Sequence, residues 1–138
     1  MIAFFDASAL IYVLEGREPW VHGVKQALAE LVASDPGMGT AVSRLSWLEC
    51  RVGPRRRRDP ATLAIFDAFF CRTDLIWVEL TAAVVELATD LRGQHSLRTP
   101  DGLQAACCLQ LGDEAVMITG DASFRQVPGL RLVVVPIR

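Results

Sequence analysis

Four acidic side chains in this sequence are candidates for one shared binding or catalytic site, namely Asp6, Glu49, Asp101 and Asp121. Asp6 and Asp121 each follow a short apolar run, whereas Glu49 and Asp101 lie near the beginnings of helix-like segments. In a parallel α/β sheet such positions converge at one edge, where ligands bind. Carboxylates that meet in one cleft repel one another unless cations neutralise them. The pattern therefore predicts a site for a divalent metal ion.

Each of the four acids also has an ordinary structural explanation. Asp6 could cap a helix that starts near Ala7, and Asp101 would interact favourably with the positive end of a helix dipole. Asp121 could be a turn residue, and Glu49 could be a solvated helix residue. The combination favours function, because the first and fourth predicted strands each end in an aspartate and two helices each add one acid.

Short apolar segments alternate with helical patterns, and these elements must position the acids. Strands are predicted at residues 2–5, 38–42, 75–79, 115–119 and 130–135, and they are continuously apolar, as strands covered on both faces should be. Helices are predicted over 21–32, from Asp59-Pro60, after the cap Thr81, and from 99 to about 112. This alternation predicts an α/β fold in three layers, with a mostly parallel five-stranded sheet between helices.

Length and composition exclude several classes of protein. The chain has 138 residues, which suits one core, so residues 1–138 are predicted to form a single domain. No apolar run approaches the roughly 20 residues that span a bilayer, and the N-terminus lacks the basic region of a signal peptide, so we expect a cytoplasmic protein. The cysteines show no metal-binding spacing and are expected to be small buried hydrophobic residues; they are Cys50, Cys71, Cys107 and Cys108.

The formal net charge of −2 does not by itself predict nucleic-acid binding, but the basic residues are unevenly distributed. Four contiguous arginines are predicted to lie on the loop before the helix that starts at Asp59; they are Arg55, Arg56, Arg57 and Arg58. They could grip RNA phosphates, contact an acidic partner or form a solvated charged loop. Trp47 could stack on a base, although a tryptophan in such an apolar helix is more often part of the core.

Four segments together carry a family resemblance. They are Phe5-Asp-Ala-Ser-Ala-Leu10, Ser46-Trp-Leu-Glu49, Thr99-Pro-Asp-Gly-Leu-Gln-Ala-Ala106 and Thr119-Gly-Asp-Ala-Ser-Phe124. In type and order they resemble the PIN-domain family, in particular the VapC-type ribonuclease toxins of bacterial type II toxin–antitoxin systems. The chain departs from the family pattern at two positions, because Ser123 stands where many members have a second acid and Gly102 stands where alanine is usual.

The resemblance implies a Mg²⁺- or Mn²⁺-dependent endoribonuclease with a PIN-like fold. It also implies three partners, namely an RNA substrate, a VapB-type antitoxin and a second copy of the chain. Asp6 and Asp101 are then the expected direct metal ligands. Glu49 and Asp121 would ligate a second ion, bind through water or orient the attacking water. The supporting hydroxyl side chains are expected to be Ser8, Thr119 and Ser123.

Other readings of the sequence fit less well. A haloacid-dehalogenase-type phosphatase needs an aspartate where this chain has Ser8, and a response-regulator receiver needs a late lysine, whereas the only lysine is Lys25. Neither glycine-rich phosphate-binding motif occurs. Glu15 and Glu18 could compete for the role of Glu49 but are predicted to lie in an exposed loop, and His22 and His95 lack metal-spaced partners. A non-cleaving PIN-fold module that binds RNA or protein, a housekeeping PIN nuclease and a DNA-cleaving nuclease stay open as alternatives.

Overall fold

The computed structural model describes residues 1–135, so the last three residues of the predicted domain 1–138 lie outside the described part. The strands are β1 (Ile2–Phe5), β2 (Gly39–Ser43), β3 (Leu75–Val78), β4 (Ala115–Thr119) and β5 (Leu132–Val134). They form one sheet in the order β3-β2-β1-β4-β5, and every neighbouring pair is parallel. The predicted α/β class is confirmed, and the strands differ from their predicted bounds by at most two residues at either end.

The helices of residues 1–135 lie on both faces of this sheet. They are α1 (Ala7–Leu14), α2 (Trp20–Ser34), α3 (Arg44–Arg56), α4 (Pro60–Phe70), α5 (Ala82–Gln94) and α6 (Thr99–Gln110), followed by a 3₁₀ helix (Ala122–Gln126). Their starts follow from capping side chains: Asp59 accepts a hydrogen bond from the backbone of Thr62, and Thr81 accepts one from Val84. Within the described residues, no helix is long and apolar enough to cross a membrane.

Alternation along the strands builds two separate halves of the core. Phe4 is aligned with Met117 in the sheet, and both are buried in the layer that contains α5 and α6. Phe5 and Ile118 are the next aligned pair, and they face the layer that contains α1 to α4. Burying one such side chain contributes roughly 1.5–3 kcal/mol. If one strand shifted by one residue against its neighbour, its side chains would point to the opposite faces of the sheet. The packing of the core therefore fixes the strand register and with it the positions of the strand ends.

The strand order reverses at β1, and this reversal creates the crevice where open α/β sheets bind ligands. The ends of β1 and β4 lie side by side there, because the backbone N–H of Asp6 donates to the carbonyl of Ile118. α3 begins directly after β2, and α6 ends shortly before β4 begins. The first turns of both helices therefore lie at the edge where the strands end.

Gly102 has a steric reason to depart from the alanine that is usual in the family pattern. A Cβ atom at this position would lie 2.9 Å from Cγ of Arg92. Arg92 crosses from α5 over the first turn of α6, and its Nε donates to the carbonyl of Leu97 at 2.9 Å. Glycine thus makes room for an arginine that ties the α5–α6 connection together.

Two predictions about side chains need correction. The arginine run does not lie wholly on a loop, because α3 continues through Pro54 to Arg56, with Arg57 at its C-cap. Arginine is a good helix former and is favourable near the negative end of a helix, which explains this extension. Cys71 is exposed at the end of α4, whereas the other three cysteines are buried. Burial raises the pKa of Cys107 and of Cys108 to about 12, so both thiols are unreactive.

Candidate functional site

Asp6 lies at the end of β1 and is only 5% exposed. Its Oδ1 accepts hydrogen bonds from Ser8 Oγ at 2.7 Å and from the backbone N–H of Ala9 at 3.0 Å, and its Oδ2 accepts a short one from Thr119 Oγ1. A carboxylate offers about four acceptor positions, so Oδ2 retains one for another partner. Burial raises the pKa of Asp6, and the charge of Asp121 raises it further, while the three hydrogen bonds act in the opposite direction.

The predicted supporting hydroxyls of Ser8 and Thr119 connect the end of β1 to the end of β4. Ser8 Oγ accepts a hydrogen bond from the backbone N–H of Gly120 at 3.1 Å. Thr119 Oγ1 accepts one from the backbone N–H of Asp121 at 3.0 Å while it donates to Asp6. Each hydroxyl therefore holds Asp6 and the β4 end at the same time.

Ser123 contacts Asp121 in a different way from the expected one. Its backbone N–H, rather than its hydroxyl, donates to Asp121 Oδ1 at 2.8 Å, which makes Asp121 the cap of the 3₁₀ helix. The Ser123 hydroxyl is buried and has no hydrogen-bond partner among residues 1–135. The structure thus gives the side chain of Ser123 no contact that would replace a second acid.

Glu49 and Asp101 come from the two helices whose first turns lie at this edge. Burial raises the pKa of Glu49, and the charges of Asp6 and Asp101 raise it further. Asp101 forms an ion pair with Arg98, whose Nε lies 3.2 Å from Asp101 Oδ2 and whose side chain is 80% exposed. Because Asp121 also raises the pKa of Asp6, the four predicted acids form one linked series at this edge of the sheet, in which Asp6 interacts with Asp121 and Glu49, and Glu49 interacts with Asp101.

The donor set suits a hard divalent cation, because all four side chains offer carboxylate oxygens. Within residues 1–135, no three His, Cys, Asp or Glu side chains lie close enough together to hold one ion directly. Mg²⁺ commonly keeps several waters and takes only one or two carboxylates plus substrate phosphates. The free acceptor position of Asp6, with the other acids nearby, fits such a partly hydrated ion.

The two glutamates that could take the role of Glu49, Glu15 and Glu18, interact with other residues. Glu15 accepts hydrogen bonds from the guanidinium of Arg17 at 3.0 and 3.2 Å. Glu18 is exposed and lies 2.8 Å from His22 Nε2. The carboxylate of Glu49, by contrast, has its pKa raised by the charges of Asp6 and Asp101 in addition to burial. The contacts therefore support the choice of Glu49, which stays a prediction until it is tested.

Sequence reasoning missed two features of the site. Gln104 is buried in α6 and donates a hydrogen bond from Nε2 to Glu49 Oε1 at 3.1 Å; a polar residue three positions after Asp101, on an otherwise apolar helix face, could have indicated it. Tyr12 packs against Gly120, where an added Cβ would lie 2.5 Å from the tyrosine ring. This close approach explains the glycine between Thr119 and Asp121, and no sequence pattern indicates it.

The exposed face of α3 forms a second surface next to the acids, and it corrects the expectation that Trp47 belongs to the core. Trp47 is 38% exposed, and its ring lies between the guanidinium groups of Arg44 and Arg51, at 5.0 and 4.7 Å. Beside it, Leu48 is 62% and Val52 is 43% exposed. We call this surface the α3 groove; it has a volume of about 500 Å³ and is lined by Arg44, Leu45, Trp47, Leu48, Arg51, Val52, Arg55 and Leu80.

The raised pKa values predict how pH affects the metal-free protein. Because the pKa of Asp6 and of Glu49 is higher in the folded state, the folded protein holds protons that the unfolded chain has released. Stability should therefore fall as pH rises from about 4, the ordinary aspartate value, through the raised pKa values. Asp6→Asn should make this fall shallower, as measured by urea unfolding in the presence of a chelator between about pH 5 and 8.

Asp74→Asn is the matched control for this measurement. Arg72 lowers the pKa of Asp74 in the folded state. The stability that Asp74 contributes is therefore lost only as pH falls from about 4, and its removal should leave the slope at higher pH unchanged. An Asp6→Asn profile parallel to that of the wild type would show that Asp6 does not carry the predicted charge penalty.

Three solved complexes contain chains with a similar fold. VapBC2 from Rickettsia felis, bound to a promoter DNA fragment, contains a chain with a TM-score of 0.75 and 19% sequence identity, and the match covers 97% of this chain and 98% of that chain. A toxin–antitoxin complex from Klebsiella pneumoniae gives a TM-score of 0.67 and 25% identity, with 96% of each chain covered. VapBC-1 from nontypeable Haemophilus influenzae gives a TM-score of 0.73 and 17% identity, with 97% of this chain and 98% of that chain covered. No protein of curated function matches the sequence significantly. The family model described as PIN domain matches residues 3–130. The chain therefore belongs to the PIN-domain family.

Proposed function

We propose that this protein is a divalent-metal-dependent endoribonuclease and the toxin of a toxin–antitoxin pair. The observation that carries the proposal is the convergence of four carboxylates at the edge of the sheet where the strand order reverses. Burial, and to a smaller extent the neighbouring acidic charges, raise the pKa of Asp6 and of Glu49 there. Membership of the PIN-domain family and the likeness to toxin–antitoxin complexes support it. We expect such a toxin to act in the cytoplasm, where its RNA substrates are.

Asp6 and Asp101 are the residues that we propose as direct ligands of Mg²⁺, with Mn²⁺ as a substitute. Asp6 is held rigidly and keeps one free acceptor position on Oδ2. Asp101 is half-buried, and its ion-pair partner among residues 1–135 is the exposed Arg98, which can yield to a cation. When bound, the cation would supply Lewis-acid activation of water and stabilisation of the leaving oxygen. Glu49 and Asp121 would complete the site, for a second ion or through water.

Glu49 and the rigid frame around Asp6 would perform the remaining chemistry. Water attacks phosphorus, and the bond between phosphorus and the leaving oxygen breaks. Glu49 is suited to accept the proton of the attacking water, because its pKa is raised and its Oε2 is not the atom that accepts from Gln104. Ser8 and Thr119 hold Asp6 in one orientation throughout, so the site needs little reorganisation as the reaction proceeds.

The arginines at the end of α3 suit an RNA backbone. Arg55, Arg56, Arg57 and Arg58 are all exposed. Arg56 lies seven residues after Glu49 on the same helix, which places it two turns away on the same side, at about 10 Å. A phosphate chain that enters the acidic site could therefore be bound by this cluster at its other end.

Cleavage of RNA in the presence of Mg²⁺ or Mn²⁺ is the direct test of this function. The purified protein should cut RNA with either metal and should be inactive with a chelator. Asp6→Asn should lower the rate by about 10²-fold or more, because a proposed ligand is lost. Asp90→Asn, an exposed carboxylate on α5, is the control and should cut at the wild-type rate. RNA binding without turnover under every metal tested would instead support the non-cleaving module.

We further propose that an antitoxin of VapB type binds the α3 groove, and that the toxin forms homodimers. The groove combines exposed apolar side chains such as Leu48 and Val52 with the cations Arg51 and Arg55. An acidic partner segment with apolar side chains complements both properties, since it buries the leucine and valine and pairs with the arginines. The groove is on the helix that carries Glu49, so such a segment would lie beside the acidic site.

The partner proposal predicts a specific effect of Leu48→Glu. A carboxylate at this position would face the acidic segment and prevent apolar burial, so the affinity for the antitoxin encoded by the neighbouring gene should fall at least about tenfold. Ile65→Glu changes a similarly exposed apolar residue of α4 and should bind normally in the same calorimetric titration. Wild-type affinity in both variants would place the antitoxin elsewhere on the protein. Harmless overexpression of the protein, together with the absence of a neighbouring antitoxin gene, would contradict the toxin role.

A further inference from the structure

Gln104 is a buried polar side chain in an otherwise apolar part of α6. It is 2% exposed, and the four residues that follow it, 105–108, are apolar and buried. Its Oε1 accepts a hydrogen bond from Ser43 Oγ at 2.8 Å. Its Nε2 donates to Ser46 Oγ at 2.9 Å and to Glu49 Oε1 at 3.1 Å. Both N–H groups and the carbonyl of the amide are therefore used.

The surroundings allow only one orientation of this amide. Ser43 Oγ caps α3 by accepting from the backbone N–H of Ser46, so its own proton is free to be donated to the carbonyl of Gln104. The opposite orientation would place the carbonyl oxygen of Gln104 against the carboxylate of Glu49, two acceptors with no proton between them. The network thus directs an N–H of Gln104 at Glu49.

Glu49 needs such a donor to stay at the site. Its side chain lies half-buried at the edge of the exposed face of α3, so its carboxylate loses hydration there. Asp6 and Asp101 repel this carboxylate, while Arg98 attracts it. A long side chain with this freedom gains rotamer entropy and hydration when it turns towards solvent. The hydrogen bond from Gln104 opposes that movement.

Gln104 also connects Glu49 to the helix that carries Asp101. Asp101 and Gln104 are three residues apart on α6, so their side chains leave the helix on the same side. Gln104 contacts α3 at Ser46 and Glu49. The amide therefore spans from the helix that carries Asp101 to the helix that carries Glu49.

We propose that Gln104 is a positioning residue of the metal site, which holds Glu49 beside Asp101 so that carboxylates from two helices are arranged before a divalent cation binds. This inference rests on the proposed metal-dependent function. It assigns to Gln104 an effect on metal affinity that a side chain serving only to pack α6 against α3 would not have.

Calorimetric titration of the purified protein with Mn²⁺, without RNA, tests the inference. Gln104→Met keeps the size of the side chain and removes the donor, so the Mn²⁺ affinity should fall about tenfold or more. Gln110→Met, an exposed position near the end of the same helix, is the matched control and should bind as the wild type does. Gln104→Asn keeps an amide, but its side chain is one methylene too short to reach Glu49, so its Mn²⁺ affinity should fall as well. This variant replaces Gln104→Met in the test if the methionine variant does not fold.

A double-mutant cycle with Glu49→Gln separates positioning from packing. If Gln104 acts through Glu49, the change at 104 should weaken Mn²⁺ binding in the wild type but have little further effect in the Glu49→Gln background. Wild-type Mn²⁺ affinity in Gln104→Asn or Gln104→Met, with only the unfolding midpoint lowered, would overturn the inference and leave the proposed function intact. A wild-type protein that binds no Mn²⁺ or Mg²⁺ would overturn both.

Discussion

Carboxylates gathered in one cleft repel one another, and the edge of the sheet around Asp6 and Glu49 is built to hold them there. Asp6 is buried and receives three hydrogen bonds from Ser8, Ala9 and Thr119. Glu49 receives one from Gln104. These donors offset the cost of burial and the repulsion only in part, because burial, together with the neighbouring acidic charges, keeps the pKa of both carboxyl groups raised. A cation would relieve the remaining repulsion, which connects the electrostatics of the site to its proposed chemistry.

The same hydrogen bonds build the local structure and the site, so the structural and functional explanations of these residues do not compete. Asp6 caps α1, Ser43 caps α3, and Asp121 caps the 3₁₀ helix. Ser43 is the last residue of β2, Asp6 directly follows β1, and Asp121 follows β4 after one residue, so each cap lies where the chain must leave the sheet. The core on either side of the sheet fixes where the strands end, and the caps then fix the direction of the polar side chains. The geometry of the proposed site depends on the register of Phe4, Phe5, Met117 and Ile118 as much as on the acids.

The strands and most helix starts could be predicted because their signals are local. A continuous apolar run identified each of β1 and β4, and the pair Asp59-Pro60 and the cap Thr81 marked the starts of α4 and α5. Features that depend on distant contacts could not be predicted in this way. Gln104 meets Ser43 and Glu49 across 61 and 55 positions of the chain. Trp47 stays on the surface, where the guanidinium groups of Arg44 and Arg51 cover its ring. The extension of α3 through Pro54 was missed because proline usually ends a helix.

Anomalous diffraction from crystals soaked in Mn²⁺ tests most directly whether the four carboxylates share a metal. We expect an anomalous peak in direct contact with Asp6 and Asp101 and bordered by Glu49 and Asp121. The peak should disappear in Asp6→Asn crystals soaked in the same way. Mn²⁺ bound elsewhere on the protein, with no peak between these four acids, would contradict the assignment of this edge of the sheet as a metal-dependent active site.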